Sequence, residues 1–136
     1  LFLMEEGMDA ECLRVSILRQ TTYHMVRMGF QASQKGYRYL REAVWVAYRK
    51  PETLKAVTKL LYPEVAKLFS TTDKQVERAI RSAIETAWIK GNQETLKAFF
   101  KDIYGDGSTR PTNKEVIECL VEFFKDTADP DGEFGG

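Results

Sequence analysis

The chain has 136 residues, 43% of them hydrophobic and 29% charged, with 20 Lys or Arg balanced by 20 Asp or Glu. That is one domain's worth of soluble globular sequence, long enough to bury roughly two-thirds of its surface. No apolar run approaches the ~20 residues of a membrane helix, and Glu5 and Glu6 follow Leu1, Phe2, Leu3 and Met4 too closely for a secretory signal.

Almost every segment reads as helix, and no run alternates at period two. A first helix is expected over about 11–28, closed by Gly29, with residues 1–10 as an optional linker. A second spans about 35–49, with Tyr37, Leu40, Val44, Ala47 and Tyr48 on one stripe. Pro51 suits the first turn of a short third helix carrying Leu54, Val57 and Leu61, and Pro63 starts the fourth, where its missing N–H costs nothing. The fifth is the longest, about 73–90, opened by a Thr72-x-x-Gln75 capping box and stopped by Gly91 and Asn92. A sixth follows over about 93–104 with Leu96, Phe99, Phe100 and Ile103 inward. Then come a turn-rich loop at Gly105, Asp106, Gly107 and Ser108, and a last helix opened by Thr112 and Glu115 and carrying Val116, Ile117, Leu120, Val121 and Phe124. The acidic tail from 127 to 136 reads as disordered. The expected fold is all-α, a compact domain of about six to seven helices over 1–126.

Cys12 and Cys119 form no CxxC pair and are expected as free, buried thiols. His24 has no Cys or acidic partner at ligand spacing and reads as a core or surface histidine. Trp45, Trp88 and the Phe99–Phe100 and Phe123–Phe124 pairs fall at helical spacing and read as core. No GxSxG, HExxH, Walker-type or GxGxxG pattern is present, so no enzyme activity, metal or cofactor is expected.

The neutral net charge hides an asymmetry. Residues 35–90 carry 12 Lys or Arg against 6 Asp or Glu, a net +6, while both ends are acidic. A basic middle block suits a localised phosphate-contacting face. Within it, a short helix (62–69), a tight turn at Ser70, Thr71 and Thr72, and the long helix have the layout of a helix-turn-helix. In the long helix Val76, Ala79, Ile80, Ala83, Ile84, Ala87 and Trp88 recur along one stripe, leaving Glu77, Arg78, Arg81 and Ser82 outward in the half that a recognition helix inserts into the major groove. Arginine can bind guanine O6 and N7 in a bidentate pair, and Glu77 can accept from a cytosine amine. The competing reading is a solvated helix face with ion pairs Glu77–Arg81 and Arg81–Glu85. Lys35, Arg38, Arg41, Lys55, Lys59, Lys67 and Lys74 are candidates for phosphate contacts; each alone reads as a solvated charge.

Three blocks carry a resemblance: KGYRYLREAV (35–44), KLLYPEVAKLF (59–69) with TTDKQVERAIRSAIETAW (71–88), and the short GN (91–92) and PTN (111–113). Over roughly residues 24–125 the chain resembles the C-terminal DNA-binding effector domain of the stage zero sporulation protein A family, response regulators of endospore-forming bacteria. The resemblance implies a cytoplasmic, non-enzymatic transcription regulator whose helix after Thr72 enters the major groove at boxes like TGTCGAA, often with two domains on tandem sites. It places base contacts on Glu77, Arg78 and Arg81, and on Gln75 and Ser82, where the family commonly has Arg and His. Phosphate contacts fall on Lys35, Lys67, Thr71, Thr72 and Lys74. It also implies contact between RNA polymerase sigma factor and the region 91–104, and control by phosphorylation of an upstream receiver domain; a start at Leu1 is what a fragment or trimmed chain would show. Upstream, Val26, Gln31 and Ser33 replace the usual His, Pro and His, which marks a diverged relative. The rival expectation is a helical protein-interaction module of the same fold that has lost specific DNA binding, motivated by Gln75, Ser82 and the neutral charge.

Overall fold

The computed structural model of the chain describes residues 6–104 and 109–128. Its six α-helices are α1 (Glu6–Met28), α2 (Lys35–Arg49), α3 (Tyr62–Leu68), α4 (Asp73–Lys90), α5 (Gln93–Tyr104) and α6 (Asn113–Ala128), with no strand among the described residues. The domain is all-α. Residues 1–5, the loop expected at 105–108 and the tail from 129 onward lie outside the described residues.

Helix α2 is the axis around which the others pack. It touches α1, α3, α4 and α6, and Leu40, Ala43, Val44 and Ala47 are wholly buried. The sequence pattern predicts one apolar stripe; instead burial runs around the helix and takes in Tyr39, Glu42, Trp45 and Val46. Lys35, Arg38 and Arg49, towards its ends, stay exposed, and over its covered middle the helix can bury a charge only with a partner. Glu42 does so, receiving two 2.9 Å hydrogen bonds from the Arg14 guanidinium, one to each carboxylate oxygen. That hydrogen bonding holds the Arg14 pKa above its ordinary value.

Helix α1 begins earlier than expected, at Glu6, so the helix already covers part of the stretch read as a linker. Cys12, near the start of α1, is exposed rather than buried, and Cys119 is half-buried. The segment read as one short helix from Pro51 is two turns, a 3-10 turn at Pro51–Lys55 and a π-type turn at Val57–Leu61, broken at Ala56 (φ −151°, ψ 73°). The π-type turn runs directly into α3. Helix α6 continues through Ala128, past the expected tail boundary. It opens with a complete capping box: the Thr112 N–H donates to Glu115 Oε1 (2.9 Å) and the Glu115 N–H to Thr112 Oγ1 (3.1 Å).

Two glycine contacts set the position of α4. Gly36, in the first turn of α2, lies against the Ala79 carbonyl and the Ala83 side chain. Gly29 ends α1 with φ +96° and rests on the Cα of Gly91, while the Asn92 N–H donates to the Met28 carbonyl (3.0 Å). The close approach that the small residues of α4 predict therefore serves α2 as well as α3.

Candidate nucleic-acid interface

Helix α3, a tight turn and α4 form the helix-turn-helix. The turn works because Ser70 takes a left-handed conformation (φ 52°), which lets the Thr71 N–H reach back to the Ala66 carbonyl (3.0 Å). Thr72 is extended, and its hydroxyl accepts from the Gln75 N–H at 3.2 Å. Among the described residues only this half of the predicted capping box forms. Val76, Ile80, Ala83, Ile84 and Ala87 are buried beneath α4.

Successive helical residues turn by about 100°, which divides the rest of α4 into three strips. Lys74, Arg78, Ser82 and Ile89 form the outermost strip and are all exposed. Glu77 and Arg81 lie on the flank facing α6. There Glu77 is half-buried, its carboxylate 3.1 Å from the Arg81 guanidinium, and its backbone carbonyl accepts from Asn113 Nδ2 (3.1 Å). The same Asn113 nitrogen donates to the Tyr62 hydroxyl at 3.2 Å, tying α6 to both helices of the motif. Burial raises the Tyr62 pKa, with the Asn113 bond acting in the opposite direction. Gln75 lies on the other flank, facing α2, where Gln34 Nε2 donates to Thr86 Oγ1 (3.1 Å).

The five residues read as base-contacting thus share one helix but not one strip. Of the two intrahelical ion pairs of the competing reading, Glu77–Arg81 forms. Arg81–Glu85 does not, because Glu85 is taken by Arg110 at 2.8 Å. Arg78 has no ion-pair partner among the described residues. Lys67, Thr71, Thr72 and Lys74 gather around the α3–α4 turn, and Lys35 stands exposed at the start of α2. Arg38 is exposed over the Phe69 ring (5.3 Å). Arg41 leaves the phosphate group altogether: it is half-buried, donates to Thr22 Oγ1 of α1 (3.1 Å) and lies over the Tyr37 ring.

Two basic residues were not singled out by the sequence reading, Arg110 and Lys114. They line a cleft of about 320 Å³ together with Tyr62, Glu77, Arg81 and Asn113. The PTN motif after Arg110 marks the place, but the bond to Glu85 spans 25 residues of sequence and leaves no local pattern.

A larger cavity, about 700 Å³, is lined by residues of α1, α5 and α6, among them His24, Phe99 and Phe123. His24 packs against Phe123 (ring centroids 4.4 Å apart) and Phe99 (5.2 Å), and burial, with a smaller effect of Arg27, lowers its pKa. Among the described residues no group of three or more His, Cys, Asp or Glu could hold a metal ion, and no helix is long and apolar enough to cross a membrane.

Residues 21–123 match the family model described as "Sporulation initiation factor Spo0A C terminal". The match takes in α2 through α5, the whole helix-turn-helix and most of α6. The chain therefore belongs to the Spo0A C-terminal family, the DNA-binding effector domains of sporulation initiation.

Proposed function

We propose that this domain reads duplex DNA by sequence, with α4 in the major groove at a box resembling TGTCGAA. Arg78 and Arg81 make the base contacts, Glu77 orients Arg81 or accepts from a cytosine amine, and Ser82 and Gln75 stand where they can adjust the preference. Lys35, Lys67, Thr71, Thr72 and Lys74 position the domain on phosphates. The observation that carries this reading is the exposed strip of Lys74, Arg78 and Ser82 on the front half of a helix whose opposite face is wholly buried. The Glu77–Arg81 pair does not oppose it. Both side chains keep a third or more of their surface in water, and an exposed i,i+4 pair is worth only about 0.3–0.5 kcal/mol, less than the ~1–3 kcal/mol of a bidentate base contact.

In the cytoplasm the domain would act on tandem boxes in pairs, with α5 and the preceding Gly91 and Asn92 offered to RNA polymerase sigma factor. Phosphorylation of a receiver domain would govern it.

The deciding experiment is fluorescence anisotropy with a TGTCGAA duplex and a scrambled duplex over a salt series. The wild-type domain should prefer the box at every salt concentration. An Arg78→Ala/Arg81→Ala variant should bind both duplexes equally. Wild-type binding that is equal on both duplexes would overturn the box, and none at low salt would leave the protein-interaction module as the reading.

A further inference from the structure

We infer that Arg110 and Lys114 form a second phosphate-contacting edge beside α4, on the flank opposite Lys35; the inference rests on the DNA reading above. An α-helix with its side chains is about 10–12 Å across, and the major groove is about 12 Å wide. A helix seated there fills the groove, and the phosphates of both strands come up against its two flanks. On one flank α2 is fixed by the Gly36–Ala79 approach and the Gln34–Thr86 bond, which brings Lys35 alongside α4. The other flank belongs to the start of α6.

That start is fixed in place. Asn113 bonds the Glu77 carbonyl and the Tyr62 hydroxyl, and the Thr112–Glu115 capping box holds the first turn. From it Arg110 reaches across the cleft to Glu85, 2.8 Å away. Glu85 follows Arg78 by seven residues, two helical turns, so it lies within about 20° of Arg78 around the helix. The Arg110 guanidinium is therefore held at the edge of the exposed strip. Lys114, in the first turn of α6, lines the same cleft as Arg81. Neither cation is locked into its present pair. Arg110–Glu85 is exposed on both sides, and Lys114–Glu118 is a loose 4.0 Å contact. Such pairs are weak and are readily exchanged for a phosphate.

The test compares the wild-type domain with Arg110→Gln, Lys114→Gln and the double variant, on box and scrambled duplexes over a salt series. Log K falls with log salt by about 0.9 per phosphate neutralised. Each single variant should flatten that slope by about 0.9 and the double by about 1.8, equally on both duplexes, leaving the preference for the box unchanged. Arg110→Lys should keep the wild-type slope, and so should Lys97→Gln on α5. Thermal melts of each variant exclude a folding defect. Wild-type slopes in the Gln variants would overturn this edge while leaving the DNA reading standing. So would a lost preference for the box at unchanged slope, which would make these residues base readers. Absence of binding by the wild-type domain would overturn both.

Discussion

Replacing Gly36 with Ala tests the packing that positions α4. A Cβ built at Gly36 would lie 2.0 Å from the Ala79 carbonyl oxygen, 2.5 Å from its carbon and 3.0 Å from the Ala83 Cβ. Ordinary contact begins at 3.4 Å, so α2 and α4 must part by about 1.4 Å, the difference from 2.0 Å. The atoms in the way are mainly backbone and cannot rotate aside. Nor can α4 slide freely, since Asn113 holds its Glu77 carbonyl and the Asn92–Met28 bond holds the chain just beyond its end. Overpacking of this kind costs about 3 kcal/mol, the upper part of the usual range, and the better helix propensity of Ala returns at most about 1 kcal/mol. The net loss is about 2 kcal/mol. An unfolding entropy of about 2.1 cal/mol/K per residue over the chain converts this to a Tm lower by about 7 °C. Circular-dichroism melts and urea titrations read it directly. A variant that melts with or above the wild type would refute the close crossing, and with it the argument that places Lys35 beside α4.

Two further predictions concern charge. Glu42→Ala should cost about 2 kcal/mol in urea unfolding, less than the 3–5 kcal/mol of a fully buried pair because Arg14 stays partly in water. Combining Glu42→Leu with Arg14→Met should recover most of that, whereas a double variant as unstable as the single one would mean the pair itself supplies the stability. For His24, burial favours the neutral ring and lowers the folded-state pKa below the ordinary 6.5. The unfolded chain then takes up the proton first as pH falls, so the domain should lose stability below pH 6.5 and hold it above. The slope should disappear in His24→Gln, and an NMR titration placing the His24 pKa at or above 6.5 would contradict this.

What could be read in the sequence was whatever depends on near neighbours. The α4 stripe, the Thr112–Glu115 box and the turn before Thr72 are all set within a few residues, and all are found. Most of the features that escaped are made by distant partners; the break at Ala56 and the half-formed Thr72–Gln75 box are local exceptions. Burial around the middle of α2 comes from four helices that no local period encodes, and the regular spacing of Leu54, Val57 and Leu61 hides the break at Ala56. Arg41 turns to Thr22 of α1, and Arg110 to Glu85 across 25 residues. Cys12 reads as buried because cysteine usually is, yet it and most of the α1 residues around it are exposed. For the candidate interface, the sequence marks the helix and its outward residues, but not the second helix start that flanks it.

The meeting of Gly29 with Gly91 bears on the entropy of recognition. Met28 and Asn92 are bonded across that contact, and Asn113 bonds the front half of α4, so the helix is restrained near both ends before any ligand arrives. Folding has already supplied the order that binding would otherwise have to impose, and only the side chains of the exposed strip remain to be immobilised, at about 0.5–1.5 kcal/mol each. On the proposed reading α4 would meet DNA as a preformed surface, its backbone restrained near both ends before binding.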